Sequence, residues 1–164
     1  MKRLGAVLVL ASVAAVVTGC AADEGGVIPS SFGRNGGAWQ CTPLASDERV
    51  VIGDVLPAPG TDITVREVRL VHADGLTMRE AYLLDGSGDA IGSAEYPPTL
   101  PEWDVRIPAA GTTAAAGEPL SVAVVVERGD APGRADAIEI VYEVAGVEFA
   151  STGGVSFELT DRCA

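Results

Sequence analysis

Few side chains in this sequence combine the types and spacing that chemistry on a substrate requires. His72 is the only histidine, so a Ser-His-Asp triad has one candidate base, and no G-x-S-x-G element is present to place a serine beside it. Lys2 is the only lysine and lies at the extreme N-terminus, so the rest of the chain lacks an amine for Schiff-base chemistry. The sequence therefore predicts that the protein is not an enzyme.

Oxygen ligands recur at alternate positions in Asp85, Ser87 and Asp89, which is the spacing of the first ligands in a calcium loop. The sixth position of such a loop would be Ala90 instead of glycine, and the twelfth would be Tyr96 instead of a bidentate glutamate. Because the ligand set is incomplete, a glycine-rich turn explains the same residues. We expect no metal or other cofactor, and keep these three residues as weak candidates.

A copper site is a further alternative. His72 and Met78 offer an imidazole and a thioether, which are ligands that suit Cu(I). Two ligands are too few for a site, so we expect a histidine at the end of a strand and a methionine in its interior.

Three aromatic side chains are candidates for a binding platform. Trp103 lies in a proline-rich stretch, Tyr96 precedes it, and Trp39 is at the start of the domain. Binding residues often lie in such loops, so Tyr96 and Trp103 are weak candidates for contact with a ligand. The alternative is that the rings cover an aliphatic core.

The N-terminus begins like an export signal. Lys2 and Arg3 supply positive charge, and the apolar run that follows, Leu4–Val17, is about 14 residues long, whereas a membrane-spanning helix needs about 20. The pattern predicts a signal peptide over residues 1–19.

The next residues, Val17-Thr18-Gly19-Cys20, resemble the lipobox of bacterial lipoproteins, with an apolar and two small residues before a cysteine. Val17 stands where leucine is more common. The resemblance implies cleavage before Cys20, lipidation of its thiol, and a chain anchored by lipid on the extracytoplasmic face of the cell membrane. Acyl chains anchor firmly because each buried CH₂ contributes ~0.8 kcal/mol.

The resemblance to a lipobox also bears on how the other two cysteines pair. With Cys20 lipidated, Cys41 and Cys163 remain, and export places both in an oxidising compartment. We expect a disulfide between them that joins the two ends of the domain. Two free thiols or a redox pair are the alternatives, although a C-x-x-C spacing is absent.

Residues 20–38 are rich in glycine, serine and alanine and show no periodicity, which indicates a flexible tether after the lipidated cysteine. A coil of about 18 residues has a mean reach of about 20–25 Å. This composition would let the domain stand away from the lipid headgroups.

Residues 39–164 show the period-two alternation of β-strands, and no segment has a helical period. We predict strands over Glu48–Leu56, Asp62–His72, Thr77–Leu84, Ala90–Glu95, Leu120–Val126, Ile138–Val144, Val147–Phe149 and Val155–Leu159, with a loop or edge segment over Tyr96–Pro108. The phase change in the second strand predicts a β-bulge near Glu67. In the third strand, Met78, Tyr82 and Leu84 are assigned to one face.

The pattern predicts an all-β fold, an antiparallel immunoglobulin-like two-sheet sandwich, with a small barrel as the alternative. The arrangement resembles immunoglobulin-like lipoproteins of GC-rich Gram-positive bacteria, with Trp39-Gln40-Cys41 and Cys163 as its motif-like parts. That resemblance implies no activity.

Charge narrows the range of partners. The formal charge is −12, and without Lys2 and Arg3 the chain carries nine basic against 23 acidic residues, or −14. So acidic a surface excludes nucleic acid as a partner. We expect a non-catalytic binding domain that contacts an extracytoplasmic protein through its loops, in particular Tyr96–Pro108, and a small-ligand or metal-binding lipoprotein for solute capture is the alternative.

Overall fold

The computed structural model describes Ile28, residues 38–84 and residues 92–163. These residues form an all-β fold with one short helix. The elements, in chain order, are β1 Ala38–Pro43, β2 Arg49–Leu56, β3 Ile63–Val71, β4 Leu76–Leu84, β5 Ser93–Glu95, α1 Pro101–Asp104, β6 Ile107–Pro108, β7 Thr113–Ala114, β8 Leu120–Arg128, β9 Gly133–Ala135, β10 Ala137–Val144, β11 Val147–Thr152 and β12 Val155–Thr160.

The sheets pack face to face as a sandwich, so the predicted fold class is confirmed. Hydrogen bonding divides the described strands into three sheets instead of two, with the orders β5-β2-β8-β4-β6, β11-β10-β3-β7 and β1-β12-β9. Neighbouring strands are antiparallel except β1 and β12, which run parallel from Ala38 opposite Val155 to Pro43 opposite Thr160. The chain therefore begins and ends the domain side by side.

The main core lies between the sheets and is aliphatic. Alternate residues of β8 supply its centre, and they pack against Ile138 and Ile140 of β10 and against Phe157 of β12. Alternation places every second side chain of a strand on the same face. The contributors from β8, all 5% exposed or less, are Leu120, Val122, Val124 and Val126.

The five-stranded sheet is buried on its second face as well. Val51, Ala123 and Val125 form a smaller cluster there with Leu84, and Trp103 of α1 covers it. The helix is short and begins with Pro101, a residue that suits the first helical turn. The segment predicted as a loop or edge thus folds over the sheet as a cover and ends in the edge strand β6.

Two register shifts decide which side chains face the core. In β3, Val141 pairs with Glu67 and Tyr142 with Val65, so Arg66 is the extra residue and the bulge predicted near Glu67 is confirmed. In β4, a second shift skips Arg79, and this one was not predicted.

The bulge in β4 corrects the predicted face of that strand. Met78 and Leu83 contact the main core, whereas Tyr82 and Leu84 contact the smaller cluster. Assigning Met78, Tyr82 and Leu84 to one face was wrong because an inserted residue reverses the alternation beyond it.

Within the stretch predicted as a tether, the structure describes a buried residue, Ile28. Ile28 is fully buried in the main core, and its backbone N–H donates a hydrogen bond to the Tyr142 hydroxyl over 3.1 Å. Nothing in the composition of residues 20–38 indicated this contact, because a single aliphatic residue has no periodicity.

Candidate functional site

A cleft opens where the edges of two sheets meet. The edge strand β6 borders the five-stranded sheet and the edge strand β7 borders the four-stranded sheet. Between them lies a half-open cavity of about 370 Å³, which also reaches the end of β4 and the start of β8. We call this cavity the edge cleft. Its size falls within the usual range of ligand pockets, roughly 300–1,000 Å³.

The walls of the edge cleft combine aliphatic side chains with polar ones, the latter including Thr112, Thr113 and Glu118. Leu83 and Leu120 contribute from the sheet interior, and Val105 and Ile107 contribute from the segment that leads into β6. Val105 and Ile107 are 56% and 47% exposed, which is unusual for large aliphatic side chains. Because β6 is a two-residue edge strand, no further strand of the described part of the chain pairs beyond it.

The bottom of the edge cleft holds an orphaned polar group. Ser121 lines the cavity and is 5% exposed, and its Oγ has no hydrogen-bond partner among the described residues. Burying a hydroxyl without a partner costs free energy, so such groups are uncommon. A serine hydroxyl both donates and accepts, but the Ser121 Oγ has almost no accessible surface, so a ligand reaches it only after the side chain rotates toward the cavity.

One charged residue lines the edge cleft. The carboxylate of Glu118 belongs to the segment between β7 and β8, next to Pro119. This segment is fixed by two hydrogen bonds, from Ala116 N–H to the Asp62 carboxylate over 2.9 Å and from Gly117 N–H to the Pro59 carbonyl over 2.9 Å. The negative charge at this wall favours a neutral or cationic ligand.

The connection from β6 to β7 closes one end of the cleft. Ala109 donates its N–H to the Ala81 carbonyl of β4 over 3.0 Å, and Gly111 donates to the Val65 carbonyl of β3 over 2.8 Å. Gly111 has a φ of +81°, a conformation that glycine adopts without strain. The crossing is thereby attached to both sheets.

The aromatic candidates do not form an exposed platform. Trp103 is only 4% exposed and meets Tyr82 and Tyr96 edge to face, with ring centroids 5.1 and 6.3 Å away. The Arg106 guanidinium lies 4.4 Å from the Trp103 ring centroid. Trp39 is 64% exposed on β1, in a different sheet. The rings of Trp103 and its neighbours therefore cover the sheet, which is the alternative the sequence left open.

The metal candidates have different outcomes. Asp85, Ser87 and Asp89 lie outside the described residues. Within the described ranges, no group of three or more His, Cys, Asp or Glu side chains is placed to hold a metal ion. His72 is exposed and pairs with Asp136, with 2.8 Å between Nδ1 and Oδ2.

Met78 packs against the main core. It and the exposed His72 thus lie in different environments, and the structure does not join them into a copper site.

The disulfide lies at an edge of the three-stranded sheet. Cys41 of β1 and Cys163 form a disulfide across 122 positions of sequence, with Cα atoms 5.8 Å apart, as expected. Cys20 lies outside the described residues. Among the residues the structure describes, no helix has the length and apolar character needed to cross a membrane.

A buried arginine reinforces the same edge. Arg128, 2% exposed, donates to the Leu44 carbonyl, and its Nη1 lies 2.8 Å from the Asp161 carboxylate near the C-terminus. We call β1, β12, the Cys41–Cys163 disulfide and this arginine cluster the clamped edge. Arg128 is thereby paired with partners from two segments of this edge.

A buried carboxylate connects the clamped edge to the five-stranded sheet. Asp54 of β2 is 6% exposed and accepts hydrogen bonds from Val55 N–H over 2.8 Å and Val155 N–H over 3.2 Å. Burial raises the pKa of Asp54 above its ordinary value, although the backbone donors oppose the shift. A Cβ at Gly153 would lie 2.0 Å from Asp54 Oδ2, so glycine is required there.

Comparison with protein-family models and with curated proteins found no match. The fold thus defines the class, an all-β sandwich, and the chemistry of the edge cleft carries the functional argument. The segment predicted to make contacts, Tyr96–Pro108, contains two lining residues of the cleft, Val105 and Ile107, which alternate around Arg106 beside a proline, but the cavity itself was not predicted. The alternation of these two aliphatic residues, in a segment too short to be buried on its own, is the feature of the sequence that could have indicated the cleft.

Proposed function

We propose that the protein is a non-catalytic, lipid-anchored cell-envelope protein whose sandwich domain binds an extracytoplasmic protein through the edge cleft. The anchor is supported by the lipobox-like Val17-Thr18-Gly19-Cys20. The observation that carries the binding role is the edge cleft itself, whose lining includes the exposed aliphatic side chains of Val105 and Ile107 together with Glu118 and Ser121.

The shape and charge of the cleft indicate the kind of ligand. A half-open volume of about 370 Å³ accommodates one or two side chains of a peptide. Glu118 and the net charge of −12 attract cations and repel anions. The ligand is therefore a protein segment that inserts an aliphatic side chain and carries lysine or arginine beside it.

Fluorescence anisotropy with synthetic peptides tests the binding role. One labelled peptide carries an aliphatic residue between lysines, a second replaces the lysines by glutamate, and a third replaces the aliphatic residue by serine. The first should bind most tightly to the full chain. Equal binding of all three, or none, would overturn the assigned ligand class.

Matched variants locate the site. Ile107→Lys removes an aliphatic side chain from the cleft wall and adds a positive charge that repels the lysines, so binding of the lysine peptide should weaken by at least tenfold. Val147→Lys alters an aliphatic residue of β11 that is 56% exposed but does not line the cleft, so binding should be unchanged. If both variants, or neither, lost affinity, the edge cleft would not be the site.

The anchor requires its own test. Full-length protein expressed in bacteria should partition into detergent, and mass spectrometry should find acyl chains on Cys20. Cys20→Ala should move the protein to the aqueous phase while the sandwich stays folded. An unmodified Cys20 in the mature chain would exclude the anchor and leave the binding role to the peptide experiment.

A further inference from the structure

We infer that the sandwich domain binds its own membrane-proximal segment, with Ile28 as the anchoring residue. The burial of Ile28 goes beyond surface contact, because its side chain is 0% exposed and belongs to the main core. The other buried residues of the main core lie between Val50 and Leu159, whereas Ile28 precedes β1 by ten positions.

The backbone of Ile28 is held as well as its side chain. Its N–H donates to the hydroxyl of Tyr142, a residue 114 positions later that is itself 0% exposed. A buried backbone N–H needs a partner, and a β10 residue in the domain supplies one. The side chain of Tyr142 is fixed in turn by Phe149, since the two rings stack with centroids 5.9 Å apart.

Both contacts have the character of a binding site. An aliphatic side chain fills an apolar recess, and one directed hydrogen bond sets the position of its backbone. These are the two elements by which an apolar pocket fixes a peptide. The recess is filled by the protein's own chain, so Ile28 is a point of attachment between the domain and the segment that precedes it.

This attachment shortens the connection to the membrane, a consequence that rests on the proposed lipid anchor. Ile28 is eight positions after Cys20, whereas Ala38, where β1 begins, is 18 positions after it. At ~3.4 Å per residue, the greatest reach falls from about 61 Å to about 27 Å. The mean reach of a flexible chain falls from about 23 Å to about 16 Å. Docking of Ile28 therefore holds the domain close to the headgroups.

Amide hydrogen exchange measured by NMR tests the attachment without any membrane. In the wild-type chain, the Ile28 amide should exchange far more slowly than an unprotected amide. Tyr142→Phe removes the acceptor and keeps the ring, so exchange at Ile28 should accelerate about tenfold. Tyr82→Phe is the matched control, because the Tyr82 hydroxyl donates to Glu80 and its ring packs in the smaller cluster.

The exchange rates of the two variants decide whether Ile28 is attached to the domain. Acceleration in Tyr142→Phe but not in Tyr82→Phe supports the attachment. An Ile28 amide that exchanges at the unprotected rate in the wild type, or one equally affected by both substitutions, would overturn it.

Neutron reflectometry of the lipidated chain on a supported phosphatidylcholine bilayer tests the shortened connection. Ile28→Ser should widen the gap between headgroups and domain by about 7 Å, whereas Ile28→Val should leave it unchanged. An unchanged gap in Ile28→Ser would overturn the shortened connection while leaving the anchor intact. If the wild type does not bind the bilayer, the proposed anchor fails, and the exchange experiment still decides whether Ile28 is docked.

Discussion

The clamped edge and the edge cleft differ in whether their buried polar groups are paired. At the clamped edge, a disulfide, a parallel strand pair and a buried arginine tie the first strand to the end of the chain. At the edge cleft, two strands of two residues each leave Val105 and Ile107 exposed, and Ser121 has no partner in the described part of the chain.

This difference predicts that the clamped edge contributes mainly to stability and the edge cleft mainly to binding. Groups that satisfy one another contribute to the free energy of unfolding and leave nothing for a ligand. Groups left open contribute little to stability, but a ligand can satisfy them. Substitutions at the clamped edge should therefore change stability strongly, and substitutions at the edge cleft should change binding with little change in stability.

The largest effect should follow removal of the disulfide. Replacing Cys41 and Cys163 by alanine frees a loop that spans 122 positions, which the chain-entropy relation values at about 4–5 kcal/mol. Urea unfolding followed by circular dichroism measures the loss. Ile107→Lys, at an exposed position of the cleft, should change stability by less than about 0.5 kcal/mol. A comparable loss in both proteins would refute the division between the two regions.

Arg128→Met should have the next largest effect. The substitution keeps an apolar stem but leaves the Leu44 carbonyl without its donor and the Asp161 carboxylate without its cation. We expect a loss of about 2–4 kcal/mol in urea unfolding, since a buried charged group with several partners is removed.

Arg134→Met serves as the control for that substitution. Arg134 of β9 is exposed, so its replacement should change stability by less than about 0.5 kcal/mol. If Arg128→Met lowered the free energy of unfolding as little as Arg134→Met, Arg128 would not stabilise the clamped edge.

Asp54 gives the clamped edge a characteristic pH dependence. Burial raises the pKa of Asp54 in the folded chain above 3.8, so the folded state binds the proton more tightly than the unfolded state. The stability this group contributes is fully present below pH 3.8 and is lost as pH rises through the folded-state pKa. Relative to Asp54→Asn, the wild type should thus become less stable as pH increases across that interval.

Glu127 should show the opposite sign. Hydrogen bonds from Arg79 and Arg49 hold the pKa of Glu127 below 4.5, so its contribution is present above that pH and is lost as pH falls through the folded-state pKa. Urea unfolding at several pH values, compared with Glu127→Gln and Asp54→Asn, measures both slopes. Slopes of the same sign for the two carboxylates would contradict the assigned causes.

The sequence predicted features that depend on local pattern and missed those that depend on distant contacts. Alternation located the long strands, and the change of phase in β3 located its bulge to within one residue. The bulge at Arg79 escaped because Met78, Tyr82 and Leu84 keep an apparently regular spacing across it. A pattern of period two cannot show an inserted residue when both faces of the strand are apolar.

The missed elements have a common physical origin. β1 and β9 are short strands that exist because β12 lies between them, and nothing in their own residues requires it. Ile28 reaches the core through the packing of its side chain and through a hydrogen bond from its N–H to Tyr142. The edge cleft arises where β6 and β7 meet, although they belong to different sheets. Each depends on a partner far away in sequence, which local alternation does not encode.

The smallest effect on stability, and the sharpest test of the comparison, is expected from Ser121→Ala. The substitution removes a buried hydroxyl that has no partner in the described residues, so stability should stay the same or rise by up to about 1 kcal/mol. Binding of the lysine-flanked peptide should weaken because the cleft loses its one deep polar contact.

Ser151→Ala is the matched variant for this last comparison. Ser151 of β11 is also fully buried, with an Oγ that lacks a partner among the described residues, but it does not line the cleft. Its replacement should affect stability similarly and leave peptide affinity unchanged, as measured by thermal unfolding and anisotropy. A loss of affinity in both variants would show that the effect comes from the core, and a loss in neither would show that Ser121 does not contact the ligand.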